Sequence, residues 1–201
     1  YSNTTGAYNT AVGSSALRFN QTGGYNVALG FSSLYNNTTA YSNTAAGIQS
    51  LYFTTTGGEN TAFGYEAARA NTTGQWNVAV GDGALRSNQT SGYSTAVGRR
   101  AAYSSTAAIT AFGGQAGYSN TTGTNNTFLG YVAGYTNTTG ARNTAVGYSS
   151  LIGNTTGFNN TAVGYHALLS NTTGWGGAAV GYESLYANTT GAYNLGIGYQ
   201  S

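Results

Sequence analysis

Apolar positions along this chain recur at a long fixed period, not at the three-to-four-residue spacing of an amphipathic helix. Asn-Thr-Ala-Val-Gly, or a close variant, returns every 17 residues, in frames opening at Asn9, Asn26, Asn43, Asn60, Asn77, Ser94, Ile109, Asn126, Asn143, Asn160, Gly177 and Asn194. Only the step from Ser94 to Ile109 is shorter, at 15 residues. The consensus frame is Asn-Thr-Ala-Val-Gly-Tyr-x-Ala-Leu-x-x-Asn-Thr-Thr-Gly-x-x. Position four is apolar throughout, from Val12 through Phe63, Val146 and Val163 to Ile197, and position nine is mostly leucine, as at Leu34, Leu85 and Leu168. These two columns are the expected core. Position eight is always alanine or serine, and position three is alanine except at Phe128 and Gly196. Columns so small predict a surface approached closely by another layer, either the opposite wall of the same coil or another chain.

Glycine at position five of every frame, Gly13 to Gly198, points to a backbone demand: positive φ or the close approach of another backbone. The Asn-Thr-Thr-Gly stretch at positions twelve to fifteen has turn chemistry, because Asn and Thr side chains bond their own backbone there. A glycine and a polar turn in every frame leave no room for a helix of ordinary length. Short runs such as Thr144-Ala145-Val146 suit strands of three to five residues. The expected fold is all-β, a parallel β-solenoid of about twelve 17-residue coils in one array over 1–201, because a lone coil cannot satisfy its own backbone and stacked coils can. The short frame, Ser94 to Ala108, lacks the Asn-Thr-Thr-Gly turn and predicts a local change of coil outline.

Composition narrows the function. Charged residues are 5% of the chain, there is no lysine, proline, cysteine or methionine, and the net charge is +2. Six cationic residues are too few to neutralise a phosphate backbone, so nucleic acid is not an expected partner. No apolar run approaches the ~20 residues of a membrane-spanning helix, and no membrane insertion is expected. Without cysteine, disulfides and thiolate metal sites are excluded. Both ends cut the repeat in mid-frame, as expected of a segment of a longer chain.

The recurring Asn-x-Ala-Val-Gly, as in 9–13, 143–147 and 160–164, resembles the head repeats of trimeric autotransporter adhesins, the YadA-like β-roll. It also resembles the Asn-Thr-Ala-Val-Gly-Tyr…Asn-Thr-Thr-Gly arrays of phage tail fibres and other bacterial surface proteins. The resemblance covers essentially the whole chain. It implies a left-handed roll, a homotrimer with positions three and eight near the shared interface, and a place outside the cell, on its surface or on a virion fibre. This frame is longer than the adhesin repeat by its Asn-Thr-Thr-Gly turn, enough for a single chain to close its own core.

A site of chemistry normally breaks a repeat, and this chain mostly obeys its own. The expected role is therefore non-catalytic: the stiff shaft or head of an extracellular fibre, filament or adhesin, self-associating as a homotrimer or end to end. The alternative is a receptor- or glycan-binding segment of a tail fibre. For that reading the candidate surface is position six of five consecutive frames, Tyr131, Tyr148, Tyr165, Tyr182 and Tyr199, which stacking would set in a ladder roughly 4.8 Å apart. Asp82 and Arg99 share that column one coil apart and are expected to form an exposed ion pair worth roughly 0.2–1 kcal/mol. Glu66 lies near enough to Asp82 in the repeat to suggest a carboxylate pair, but no insertion forms a pocket there. His166, the one histidine, is expected as a solvated residue of the variable position-seven column, with Glu183 as its nearest acid. No catalytic, cofactor or metal site is expected. Asn-x-Ser/Thr sequons at position twelve, among them Asn20, Asn37, Asn120, Asn137 and Asn154, would decorate one edge with sugar in a glycosylating pathway, although turn chemistry explains the same residues. Paired threonines raise ice binding, but they lie in the turn and not on a flat strand.

Overall fold

The computed structural model describes residues 2–201 and is all-β, with no helix among them. Twelve strands, one per frame, occupy positions two to four: β1 (Thr10–Val12), β2 (Val27–Leu29), β3 (Thr44–Ala46), β4 (Thr61–Phe63), β5 (Val78–Val80), β6 (Thr95–Val97), β7 (Ile109–Phe112), β8 (Asn126–Leu129), β9 (Thr144–Val146), β10 (Thr161–Val163), β11 (Ala178–Val180) and β12 (Leu195–Ile197). Two of them, β7 and β8, are one residue longer than the rest. The chain divides into two compact units, Tyr1–Arg100 and Ala101–Ser201, and the division falls inside the short frame. Strands β1 to β6 pair in sequence order in the first unit, and β7 to β12 do so in the second, all parallel. The register is the repeat itself: Thr10 faces Val27, and Val146 faces Val163. The fold is a parallel β-solenoid.

Stacking satisfies the backbone at almost every position of the coil. In coil nine the Thr144 N–H donates to the Asn160 carbonyl at 2.8 Å, Leu151 N–H to Ala167 at 2.9 Å, and Ser149 N–H to Tyr131 at 3.0 Å. Three successive N–H groups, of Thr138, Thr139 and Gly140, converge on the single carbonyl of Thr155. The cost of such a flat coil is conformational. Non-glycine residues at positions seven, nine and seventeen have φ between +48° and +61°, each a corner in the left-handed region that costs about 1–2 kcal/mol in isolation. Position five is more restrictive still. Gly64 has φ +131°, and a methyl group there would lie 2.6 Å from the Gly81 carbonyl oxygen, so the column needs both the dihedral and the space.

The core differs from the expected one at position four. Period-two alternation turns positions one and three inward and positions two and four outward. Position three is buried in every coil from Ala28 to Gly196, whereas no residue of the position-four column is buried. Phe63 is 43% exposed and Leu129 46%. The interior behind the strand is so narrow that alanine fills it. Leucine at position nine, as at Leu34 and Leu151, is fully buried and contributes roughly 1.5–3 kcal/mol per side chain. Position eight is buried from Ala16 to Ser184. The small columns therefore meet the opposite wall of their own coil, and the placement of positions three and eight at an interface between chains is corrected.

Inside the coil the unusual element is asparagine. At position one, Asn143 donates from Nδ2 to the Gly157 carbonyl across its own coil (2.8 Å) and accepts the Asn160 N–H at Oδ1 (3.0 Å). At position twelve, Asn154 Nδ2 donates both to Asn137 Oδ1 in the coil before, at 2.7 Å, and to the Gly157 carbonyl, at 3.0 Å. Only a side chain with donor and acceptor on one planar group serves both ladders. At Thr54 the position-twelve ladder breaks, leaving Thr54 Oγ1 and Asn37 Oδ1 buried without a partner, and Ser94 Oγ at position one is likewise unpartnered, whereas Ser105 keeps the ladder by accepting from Asn120 Nδ2 at 3.1 Å. In the second unit Ile109 and Phe128 carry apolar bulk to positions one and three. Glycine at position nine makes room for them, since a methyl at Gly117 would lie 2.8 Å from the Phe128 ring and one at Gly134 2.5 Å from it.

Candidate functional site

The tyrosine column forms as the repeat predicts. Each ring follows the glycine corner at position five, which throws position six outward. Ring centroids are 5.6 Å apart for Tyr131–Tyr148, 5.4 Å for Tyr148–Tyr165, and 5.1 Å for both Tyr165–Tyr182 and Tyr182–Tyr199. Interplanar angles fall from 24° at the first pair to 7–8° at the last two. All five rings are exposed. The Tyr182 phenol is held above its ordinary value, first by its hydrogen bond with the Glu183 carboxylate, then by desolvation and by the negative charge of Glu183.

His166 is not the free surface residue expected of it. Its ring lies on Tyr165 at 3.8 Å between centroids, its Nδ1 is 3.9 Å from Glu183 Oε1, and its side chain is only 21% exposed. Glu183 also accepts a hydrogen bond from Gln200 Nε2 at 2.9 Å. Position seven thus carries Ser149, His166 and Glu183 in three successive coils, but no hydrogen bond joins Ser149 to His166, whose ring is turned onto the tyrosines. The column is a polar-aromatic brace beside the ladder.

Asp82 and Arg99 occupy the same exposed column one coil apart, and no ion pair forms between them. A short aspartate on an exposed corner gains too little to order both side chains. The longer Glu66 at position seven takes the cations instead: Oε2 accepts from Arg86 Nε at 2.5 Å, and Oε1 is 3.4 Å from Arg69 Nε. A carboxylate so engaged is no partner for Asp82. Among the described residues no three His, Cys, Asp or Glu side chains group to hold a metal ion. The position-twelve sequon asparagines Asn20, Asn37, Asn120, Asn137 and Asn154 are fully buried in their ladder, which removes them from any sugar-bearing edge.

Two further aromatic columns went unread in the sequence. At position ten Tyr35 stacks on Tyr52, Tyr103 on Tyr118, and Tyr118 on Tyr135, with centroids 5.0–5.2 Å apart. At position seventeen Tyr8 stacks on Tyr25, and Trp76 on Tyr93. Trp76 Nε1 also donates to Glu59 Oε2 in the preceding coil. Recurring tyrosine at position ten was the available signal. No family model, curated protein or solved structure matches this chain.

Proposed function

We propose that this chain is a non-catalytic structural segment of an extracellular fibre or adhesin, akin to the trimeric autotransporter heads and tail-fibre arrays whose repeat it resembles. Copies associate side by side as a homotrimer through the outward strand face. One observation carries this reading: the position-four column, apolar in every frame, is not buried in any of them. Exposed and half-buried aliphatic and aromatic side chains at successive coils of each unit make an apolar stripe of the kind that marks interaction surfaces. Val146 and Val163 are in register on that stripe and leave the core untouched. The test is the mass of the purified chain by sedimentation or light scattering. Val146→Glu with Val163→Glu is expected to convert trimer to monomer with an unchanged circular dichroism spectrum. A wild-type chain that is monomeric at all concentrations overturns the reading.

The tyrosine ladder favours a second reading, receptor or glycan contact, because five stacked, exposed rings present hydroxyl handles at one spacing. Glycan-array binding lost in Tyr148→Ala and Tyr165→Ala supports it.

A further inference from the structure

The departures from the repeat in the first unit gather in one place. Phenylalanine occurs at position eleven only as Phe19 and Phe53, and glutamine at position thirteen only as Gln21 and Gln89. All four line a single open groove of about 770 Å3 that runs along the coils from the first frame to the fifth. In the second unit the equivalent position-eleven residues are Ser119, Thr136, Gly153, Ser170 and Ala187, and no phenylalanine stands there.

The groove has the chemistry of a sugar site. Its two rings stand two coils apart, roughly 10 Å along the stack at the usual strand spacing. That is the span of a disaccharide unit in an extended chain. Each ring is held in place and still 39% exposed: Phe19 sits edge-on to Tyr35 at 5.0 Å and Phe53 edge-on to Tyr52 at 4.7 Å. Guanidinium carbons of Arg18 and Arg69 lie 5.5 and 4.9 Å from the two ring centres. Between the rings lies Asn36, whose amide donates to the Tyr52 carbonyl at 3.0 Å, and one coil beyond Phe53 the small Ala70 leaves room. Along the other wall Thr38, Thr55 and Thr72 each donate their hydroxyl hydrogen to the carbonyl of the next coil, at 3.0–3.3 Å. Their oxygen lone pairs therefore remain as a row of acceptors at the coil spacing. The lining contains no charged residue. We propose that this groove binds a linear neutral glycan along the solenoid, with apolar sugar faces on Phe19 and Phe53 and sugar hydroxyls on the threonine row and the two glutamines. The lining shares no residue with the strand face or with the tyrosine ladder.

The test is calorimetric titration of the purified chain with neutral cello-, xylo- and manno-oligosaccharides from disaccharide to hexasaccharide. One series is expected to bind with affinity rising with length. Phe19→Ala and Phe53→Ala are each expected to weaken it by roughly tenfold, as loss of a stacking ring implies. Ala70→Gln, which keeps both rings and fills the groove one coil beyond Phe53, should weaken the longer sugars most. Val146→Glu with Val163→Glu should leave binding unchanged, which separates this site from the strand-face association. The proposal is overturned if no neutral oligosaccharide binds. It is overturned equally if binding survives both phenylalanine variants, or if those variants change only the sedimented mass, which would make the groove a contact between copies.

Discussion

At the residue scale the fold depends on amide groups more than on apolar bulk. Removing the Asn143 side chain leaves the Asn160 N–H without its partner inside the coil and takes from the Gly157 carbonyl one of its two donors, Asn154 Nδ2 being the other. Asn143→Ala is therefore expected to lower unfolding stability by about 1–3 kcal/mol, measured by urea denaturation, although it deletes no hydrophobic surface. The reverse change is available at Thr54, where an orphaned hydroxyl faces the orphaned Asn37 oxygen. Thr54→Asn should extend the ladder and raise stability by about 1 kcal/mol, whereas Thr54→Val, nearly the same volume, can only remove the orphaned hydroxyl. Electrostatics make a sharper local prediction at Tyr182. Its phenol is raised mainly by the neighbouring carboxylate, so Glu183→Gln should bring its titration back down toward the ordinary tyrosine range. Phenolate absorbance or side-chain NMR would show that shift, and an unmoved titration would refute the assignment of its cause.

At the scale of the coil, the repeat made the strand and its register legible, because a fixed period of like residues allows only one stacking. The direction of the side chains was harder to read. Valine at position four looks like core, yet alternation from a buried Ala145 sends it outward, and the same alternation buries the asparagine ladder at position one, as stacking of like residues leads one to expect. The left-handed corners were hidden by leucine at position nine, an unusual occupant of positive φ. The signal was there in the exchange of leucine for glycine at Gly117 and Gly134, and of other residues for Gly83 and Gly176, in the same three columns. That exchange also gives a test of packing. Phe128→Ala alone should cost about 3–5 kcal/mol and Gly134→Leu alone about 1–3 kcal/mol, one leaving a void and the other overfilling it. Together they restore the Ala–Leu pairing of other coils, so the double variant should be more stable than Phe128→Ala. Additive losses in chemical denaturation would show that the ring and the glycines are not coupled. The groove at Phe19 and Phe53 was also invisible from one column at a time, since it appears only when departures at positions eleven and thirteen are laid over one another.

For the whole molecule, ten charged side chains in 201 residues mean that charge contributes little to cohesion. The ion pairs of Glu66 with Arg69 and Arg86 are partly exposed and local. What holds each unit together is a set of short backbone bonds between coils, two amide ladders and buried alanine and leucine, none of which screens with simple salt. Thermal unfolding should therefore move little between low and near-molar sodium chloride, by no more than the loss of one or two exposed ion pairs at about 0.2–1 kcal/mol each. The proposed association through the strand face would be apolar and should be equally indifferent to sodium chloride, while sulfate, which favours burial of apolar surface, should strengthen both folding and that association. A trimer that dissociates as sodium chloride rises would point to a charged interface, and the position-four stripe could not be the contact. Salt response thus separates two kinds of fibre that stacking alone leaves alike, one held by charge pairs on its corners and one held by the faces of its strands.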